Sequence, residues 1–278
     1  MYLKVRRNEG ITSILLFIFN AFLTEKQVDE LPLKTILRIL APFNKNETAV
    51  RMGLSRGVQN GLLINFKKEN EVYYRLTDQG RNALRYWWNT IRIFQQRAAL
   101  QREEWNGKWN AVYFPAGAAE ELALSLRKLG YGSVERHMWI SPYDASGQVS
   151  ALAAEIGMAE SLYLFLGELA GGRRLAEIVT EMWPVEELNK KYKDYIAGLK
   201  HAVGELDTGP PRGGAVLPFL HKYGLQIFGI MQEDPQLPLQ LLPPDWSGLQ
   251  AVLLFMETRK QLLPEANAFI ADTIDEKG

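Results

Sequence analysis

Cysteine is absent from all 278 residues. That excludes disulfides, thiolate zinc sites and a cysteine nucleophile, and it suits a reducing cytoplasm, where the chain is expected to work. Histidine is almost as scarce. The three present, His137, His201 and His221, stand far apart and form no ligand-spaced pair, so each reads as a core or surface residue, not a metal ligand. No Walker loop, no Gly-x-Ser-x-Gly and no His-Glu-x-x-His occurs. No cofactor and no catalytic residue is therefore expected. Net charge is absent too, with 32 basic against 32 acidic side chains. A membrane-length apolar run is also missing. The run at 11–23 follows Lys4, Arg6 and Arg7, but it is too short to cross a bilayer, Asn20 interrupts it, and no small-x-small cleavage pattern follows. It reads as the buried first helix of a soluble protein.

What is there is unevenly placed. Residues 1–104 hold 17 Lys+Arg against 10 Asp+Glu, and the remainder holds 15 against 22, so the front is at +7 and the back at −7. Chance surface charge gives such a split; so does a front half that meets a polyanion. The stretch 44–76 favours the second reading. Asn44 followed by Glu47 has capping-box spacing. Val50, Leu54 and Val58 recur every four residues and share one helical face. Thr48, Met52, Ser55, Arg56 and Gln59 fall on the other. A short, polar, cationic face of this kind suits the major groove, where Arg pairs with guanine, Gln with adenine, and Met touches a thymine methyl. Gly61 ends the helix in a left-handed turn. Residues 64–67 and 72–76 alternate as two strands around a Glu69-Asn70 turn, with Lys67, Lys68 and Arg75 offered to phosphate. Helix plus ribbon reads as a winged helix-turn-helix, or else as a surface helix and hairpin of any small α+β domain.

Helices are expected at 11–23 and 33–40 before this one, the second ended by Pro42. Thr77 caps a long helix rich in aromatic residues (Tyr86, Trp87, Trp88, Ile91, Phe94), which packs either on a second subunit or on its own domain. From Trp105 the pattern changes. Strands at 111–114, 134, 137–140 and 161–166, with helices at 118–129 and 148–156, follow the β-α-β-β-α-β order of a ferredoxin-like fold. Helices then run over 174–182, 186–203, 216–230 and 248–270, the last loosened near Pro264, with a connector at 234–246 that carries four prolines. The fold class is therefore α+β.

Three stretches, ETAVRMGLSRGVQNGLL with YYRLTDQGR, LGYGSVERHMWISPYD and DPQLPLQLLPPDWSG, resemble in order and spacing the phenylacetate-catabolism repressors, the PaaX-like transcriptional regulators. WNGKWN and MWPVEELNKKYKDYI look like that family's inter-domain segments. The resemblance implies a winged-helix domain over 1–104, a ferredoxin-like domain similar to Cas2 over 105–172 and a helical domain over 173–278. It implies a homodimeric repressor on a duplex operator, released by an aryl-acetyl coenzyme A thioester. An effector pocket is then expected between the middle and C-terminal domains, lined by Trp139, Trp183, Tyr192 and Trp246, with Tyr195 adding aromatic area. Arg173 and Arg174, or Lys190 and Lys191, would meet the phosphates. As bare residues, the tryptophans read as core, and 171–174 as a turn with a solvated charge pair.

Two positions depart from the family pattern. Gly57 stands where leucine follows Ser-Arg, which costs on the order of 1 kcal/mol in helix propensity and removes an inward side chain. The stretch Ile227-Phe228-Gly229 lacks the arginine found before Asp234-Pro235. The rival reading is a Cas2-like metal-dependent nuclease. It needs an acidic residue at the end of the first strand, and residues 111–116 have none. A third reading is a DNA-binding regulator with a different effector or none.

Overall fold

Apolar residues at 11, 14, 15 and 18 put one face of the first helix inward. In the computed structural model, which describes residues 10–23, 28–100, 104–114, 120–169, 174–204 and 211–275 (without the side chains of 86–90, 93 and 97–100), that helix is α1, Ile11–Ile18. It widens into a π-helical turn, Phe19–Leu23, that keeps Phe19, Phe22 and Leu23 buried. The remaining elements are β1 (Glu30–Pro32), α2 (Leu33–Leu40), α3 (Glu47–Gln59), β2 (Leu63–Lys68), β3 (Glu71–Leu76), α4 (Asp78–Leu100), β4 (Trp109–Tyr113), α5 (Glu120–Lys128), β5 (Gly132–Glu135), β6 (Met138–Ser141), α6 (Ser146–Glu155), β7 (Tyr163–Gly167), α7 (Leu175–Met182), α8 (Val185–Gly204), α9 (Val216–Glu233) and α10 (Gly248–Asp275).

The chain forms two compact units. The first gathers residues 1–92, 193–232 and 250–278. Its core joins α1, α2 and α3 to Val216, Leu217 and Leu220 of α9 and to Leu262, Ala266 and Ile270 of α10. Its sheet has the order β1-β3-β2, all antiparallel. β1 is only three residues long and follows no readable alternation, so the sequence does not announce it. α10 runs through Pro264 without interruption.

The second unit comprises residues 93–192 and 233–249. Its sheet has the order β5-β6-β4-β7, again antiparallel, which is the ferredoxin-like arrangement. Side chains alternate across a strand, so its two faces serve two cores. Val112 and Trp139 pack with Leu122, Leu126 and Val149 of α5 and α6. Trp109, Ala111 and Ile140, on the opposite face, pack with Val179, Trp183 and Val185 and with Leu237, Leu241 and Leu242 of the proline-rich connector. That connector is ordered. Residues 234–238 are buried throughout, and a 3-10 turn follows at Leu239–Leu241.

Candidate functional site

The N-cap of α3 is Asn46, whose Oδ1 accepts the Ala49 N–H at 2.8 Å. The capping-box reading of Asn44 with Glu47 is corrected: Asn44 sits two residues earlier, with φ +54°, and closes the 3-10 turn Ala41–Phe43. Two adjacent asparagine-type caps separated by one residue look alike in sequence; the left-handed turn at Asn44 decides between them. Glu47 instead binds Arg51 one turn on, at 2.6 Å. Val50, Gly53, Leu54 and Gly57 are buried, while Thr48, Met52, Ser55, Arg56 and Gln59 are all exposed. Met52 is 51% exposed, an apolar side chain on an otherwise polar face. Arg56 has no ion-pair partner among the described residues.

Two glycines set how α3 seats. An ideal Cβ on Gly53 would lie 2.3 Å from Ile11 Cβ, so α1 and α3 approach closely there. A Cβ on Gly57 would meet only the end of Leu63, at 2.7 Å from Cδ1. The leucine absent from position 57 is thus replaced from the side by Leu63 of β2. Gly61, at φ +68°, turns the chain out of the helix. Thr77 then ties the exit down: its hydroxyl donates to the Gly61 carbonyl, its Oγ1 accepts the Gly80 N–H at 3.0 Å, and its own N–H donates to Leu62 O at 3.0 Å.

The ribbon register divides the three cations assigned to phosphate. Leu63 pairs with Leu76, Asn65 with Tyr74 and Lys67 with Val72, so Lys67 shares the face whose base enters the core beside α3. Ile64 pairs with Arg75, Phe66 with Tyr73 and Lys68 with Glu71 on the other face. There Phe66 and Tyr73 stack at 6.0 Å, with Arg75 over Phe66 and Lys68 over Tyr73, each at 5.4 Å. Lys68 also binds Glu30 of β1 at 3.0 Å, and that carboxylate raises the lysine's pKa. Sequence reading missed this cation–aromatic back, although the alternation Phe66–Lys68 against Tyr73–Arg75 carries its signal.

The aromatic residues of the second unit are partly brought together. Trp183 is buried in the core that Trp246 packs against, and Trp246 meets Tyr192 edge-on at 5.6 Å. Tyr192 is fully buried and donates to Asp234 Oδ2 at 2.7 Å; burial, then the carboxylate, push its pKa up. Asp234 Oδ1 accepts the N–H of Gln236, a residue held at φ +54°, and Tyr143 donates to the Gln236 carbonyl. Asn189 bridges the far end of the connector, donating to Asp245 Oδ1 at 3.2 Å and accepting the Ser247 N–H at 2.9 Å. Trp139 stands apart from these, in the α5–α6 core with Arg127 over its ring. Arg174 is exposed at the start of α7, and Arg173 lies outside the described residues, as do the side chains of Tyr86, Trp87 and Trp88. Lys191 is engaged by Glu187 and Glu233 at 2.7 and 2.8 Å. Tyr195 lies in the first unit, donating to Tyr223 O.

Among the described residues no group of three or more His, Asp or Glu is placed to hold a metal ion, and no helix is long and apolar enough to cross a membrane. The molecule thus joins a helix-and-ribbon unit to a ferredoxin-like sheet of the Cas2-like kind. Residues 11–80 match the PaaX-like protein family, residues 102–179 the central Cas2-like domain of PaaX proteins, and residues 183–272 the PaaX-like C-terminal domain. The chain belongs to the PaaX-like family. It is 26% identical, over 257 residues, to the transcriptional repressor PaaX of Escherichia coli K12; the match covers 87% of this chain and 78% of that one. A solved structure, the uncharacterized protein Rv0674 of Mycobacterium tuberculosis, shares its fold with a TM-score of 0.58 at 18% identity, over 93% of this chain and 96% of that one.

Proposed function

We propose that this protein is a DNA-binding transcriptional repressor whose first unit is a winged helix-turn-helix. The observation that carries the reading is the exposed face of α3, Thr48, Met52, Ser55, Arg56 and Gln59, on a helix seated by two buried glycines. The similarity to a protein named as a transcriptional repressor supports it. In this reading α2 and α3 are the helix-turn-helix and β2–β3 the wing. Arg56 reads a base edge and Lys67, on the α3 side of the ribbon, meets phosphate. Lys68 and Arg75, on the other face, reach phosphate only if the wing tip lies along the groove edge. One such unit buries too little for tight specific binding, so two copies act on a pseudo-palindrome with half-sites a helical turn, or a multiple, apart. Strand β4 carries no carboxylate, which favours a regulator over a nuclease.

The effector in this reading is an aryl-acetyl coenzyme A thioester, and the regulated genes are those of an aromatic-acid catabolic operon, here phenylacetate-type. Trp183, Tyr192 and Trp246 are its aromatic contacts in the second unit, with half-buried Trp246 the side chain that moves to admit it. Arg173 and Arg174 take its phosphates, and Trp139 supports the sheet from behind. To empty the operator, the thioester must bind the released form more tightly, by about 1.4 kcal/mol for each tenfold.

The test begins with duplexes selected from a random library. Arg56→Ala is expected to cost about 1–3 kcal/mol and to relax one operator position, and Lys67→Ala to weaken all sequences alike while lowering the salt slope by about one. An Arg56→Ala protein with unchanged operator affinity would show that the reading face is elsewhere. Calorimetry with phenylacetyl coenzyme A, against free phenylacetate and free coenzyme A, tests the effector. No heat with any of them, and no loss of operator binding, leaves a regulator with a different effector or none.

A further inference from the structure

Gln236 is held in a backbone conformation that suits glycine better than glutamine. Four non-glycine residues have positive φ among the described residues. Asn44, Glu69 and Asn70 are exposed turn residues, whereas Gln236, at φ +54°, is only 3% exposed. A buried left-handed residue persists only where its surroundings over-determine it. Here they do. The Gln236 N–H donates to Asp234 Oδ1 at 2.6 Å, the Gln236 carbonyl accepts the Tyr143 hydroxyl, and Asp234 is itself tied to Tyr192. The backbone of Gln236 is thus fully used, but its side chain is not: Nε2 is buried and has no hydrogen-bond partner among the described residues. A second such N–H lies in the same unit. Trp183 is 5% exposed, its indole Nε1 is buried without a partner, and it shares a core with Leu237, the residue next to Gln236. This indole is fixed in place. It stacks on Trp109 at 6.1 Å and 17°, and an ideal Cβ on Gly132 would lie 2.6 Å from its Cζ2.

A buried N–H left unmatched is costly and calls for an explanation. Indole N–H and amide N–H are both donors, so neither satisfies the other, and whatever meets them must accept. Charge narrows the class of that acceptor. No Lys or Arg is buried among the described residues, and the one buried acid, Asp234, stands two residues from Gln236 with its Oδ1 on the Gln236 N–H. Lys191 is already taken by Glu187 and Glu233. A carboxylate brought here would meet Asp234 with no cation to match it, whereas a carbonyl oxygen accepts without carrying a charge. Aromatic surface is at hand, since half-buried Trp105 and Trp246 pack against the same core. We propose that Trp183 Nε1 and Gln236 Nε2 grip the acyl carbonyl oxygen of an uncharged aryl-acyl group, a thioester and not its free acid. This deepens the effector reading given above and rests on it. It supplies a reason for the choice of an activated acyl group: the free acid would set a second negative charge beside Asp234, and thioester formation removes that charge. Because the indole is already fixed, little ordering is left to offset the contact.

Two ligands with the same tail isolate the carbonyl: phenylacetyl coenzyme A, and S-phenethyl coenzyme A, the thioether in which CH₂ replaces C=O. A hydrogen bond to a neutral acceptor is worth up to about tenfold in affinity, so with two donors the unaltered full chain should bind the thioester roughly 10–100-fold more tightly than the thioether by calorimetry. Gln236→Gly keeps the left-handed turn, which glycine adopts freely, and removes one donor. Its melting temperature is expected to match or exceed that of the parent. Its affinity for the thioester should fall by up to about tenfold, and its affinity for the thioether should stay as it was. Equal affinity of the unaltered protein for the two ligands, or a Gln236→Gly protein that loses both alike, overturns the carbonyl grip and leaves the effector reading standing. Binding of neither ligand overturns the effector reading, and the grip falls with it.

Discussion

Gly53 and Gly57 lie one helical turn apart on the buried side of α3, and replacing each by alanine separates two kinds of crowding. In propensity alone either change is worth about 1 kcal/mol in favour of the helix. At Gly57 the new methyl meets the far end of Leu63, 2.7 Å from Cδ1 and 3.3 Å from Cγ. A leucine tip moves aside by tilting its rotamer, at about 0.5–1.5 kcal/mol. Gly57→Ala should therefore fall within about 1 kcal/mol of the parent. At Gly53 the methyl arrives 2.3 Å from Ile11 Cβ, 2.6 Å from Cγ2 and 2.8 Å from Cγ1. Carbon atoms rest at about 3.5–4.0 Å, and a Cβ cannot rotate away, so the first turn of α1 must part from α3 by more than about 1 Å. Overpacking of this kind costs about 1–3 kcal/mol, and the rigid contact puts Gly53→Ala at or beyond the upper end. After the propensity gain, a net loss of about 2 kcal/mol remains. Scanning calorimetry reads the difference, at about 2–4 °C per kcal/mol for a unit of this size. Tilting α3 also turns Arg56 and Gln59, so Gly53→Ala should lose operator affinity while Gly57→Ala keeps it. A Gly53→Ala protein as stable as Gly57→Ala would refute the close crossing of α1 and α3.

Two further outcomes are expected. Tyr192→Phe removes a buried donor from the Asp234 carboxylate; hydrogen bonds to charged groups are worth about 1.5–3 kcal/mol, so a chemical-denaturation midpoint should fall accordingly, and an unchanged midpoint would mean that the connector is not anchored there. Burial raises the phenol of Tyr131 from 10.0 to about 12 and moves Tyr192 and Tyr195 in the same direction. A raised folded-state pKa contributes stability that is complete below the unfolded value near pH 10 and lost as pH climbs through the folded one, so the protein should weaken above pH 10. Tyrosinate absorbance should show these groups ionising only as the protein unfolds, and Tyr131→Phe should flatten the alkaline decline.

The local patterns were legible because they depend on neighbours in the chain. Short apolar runs at 111–114, 137–140 and 161–166, with helical spacing between, are enough to order the ferredoxin-like sheet, although the strands themselves lie one or two residues away, at 109–113, 138–141 and 163–167. Val50 and Leu54 against Met52, Arg56 and Gln59 orient α3, and Gly61 and Thr77 mark its exit and the next start. What was illegible depends on distant partners. Nothing within residues 33–60 tells that Leu63 fills the space over Gly57, or that Pro42 lies beside Gly214. β1 is a strand only because β3 is there to pair with it. The separation of Lys67 from Lys68 and Arg75 follows from the two-residue strand period, yet it takes on meaning only once one face is known to be the buried one. The tryptophans of the second unit gave no such clue: their number says that apolar surface is available, and the sheet decides that Trp139 and Trp183 belong to different cores.

The first unit closes its core with side chains from both ends of the chain: Ile14, Phe22 and Leu54 from the front, Leu262, Ala266 and Ile270 from the last helix. During synthesis α1, α2 and α3 therefore leave the ribosome some two hundred residues ahead of the helix that completes their shared core. The ferredoxin-like sheet, drawn mostly from residues in between, has its strands complete in the meantime. A nascent chain can thus hold a formed middle while its front still waits, apolar side out, for α10. A variant that stops before Leu262 is expected to lose this core, and with it the DNA binding proposed for the first unit.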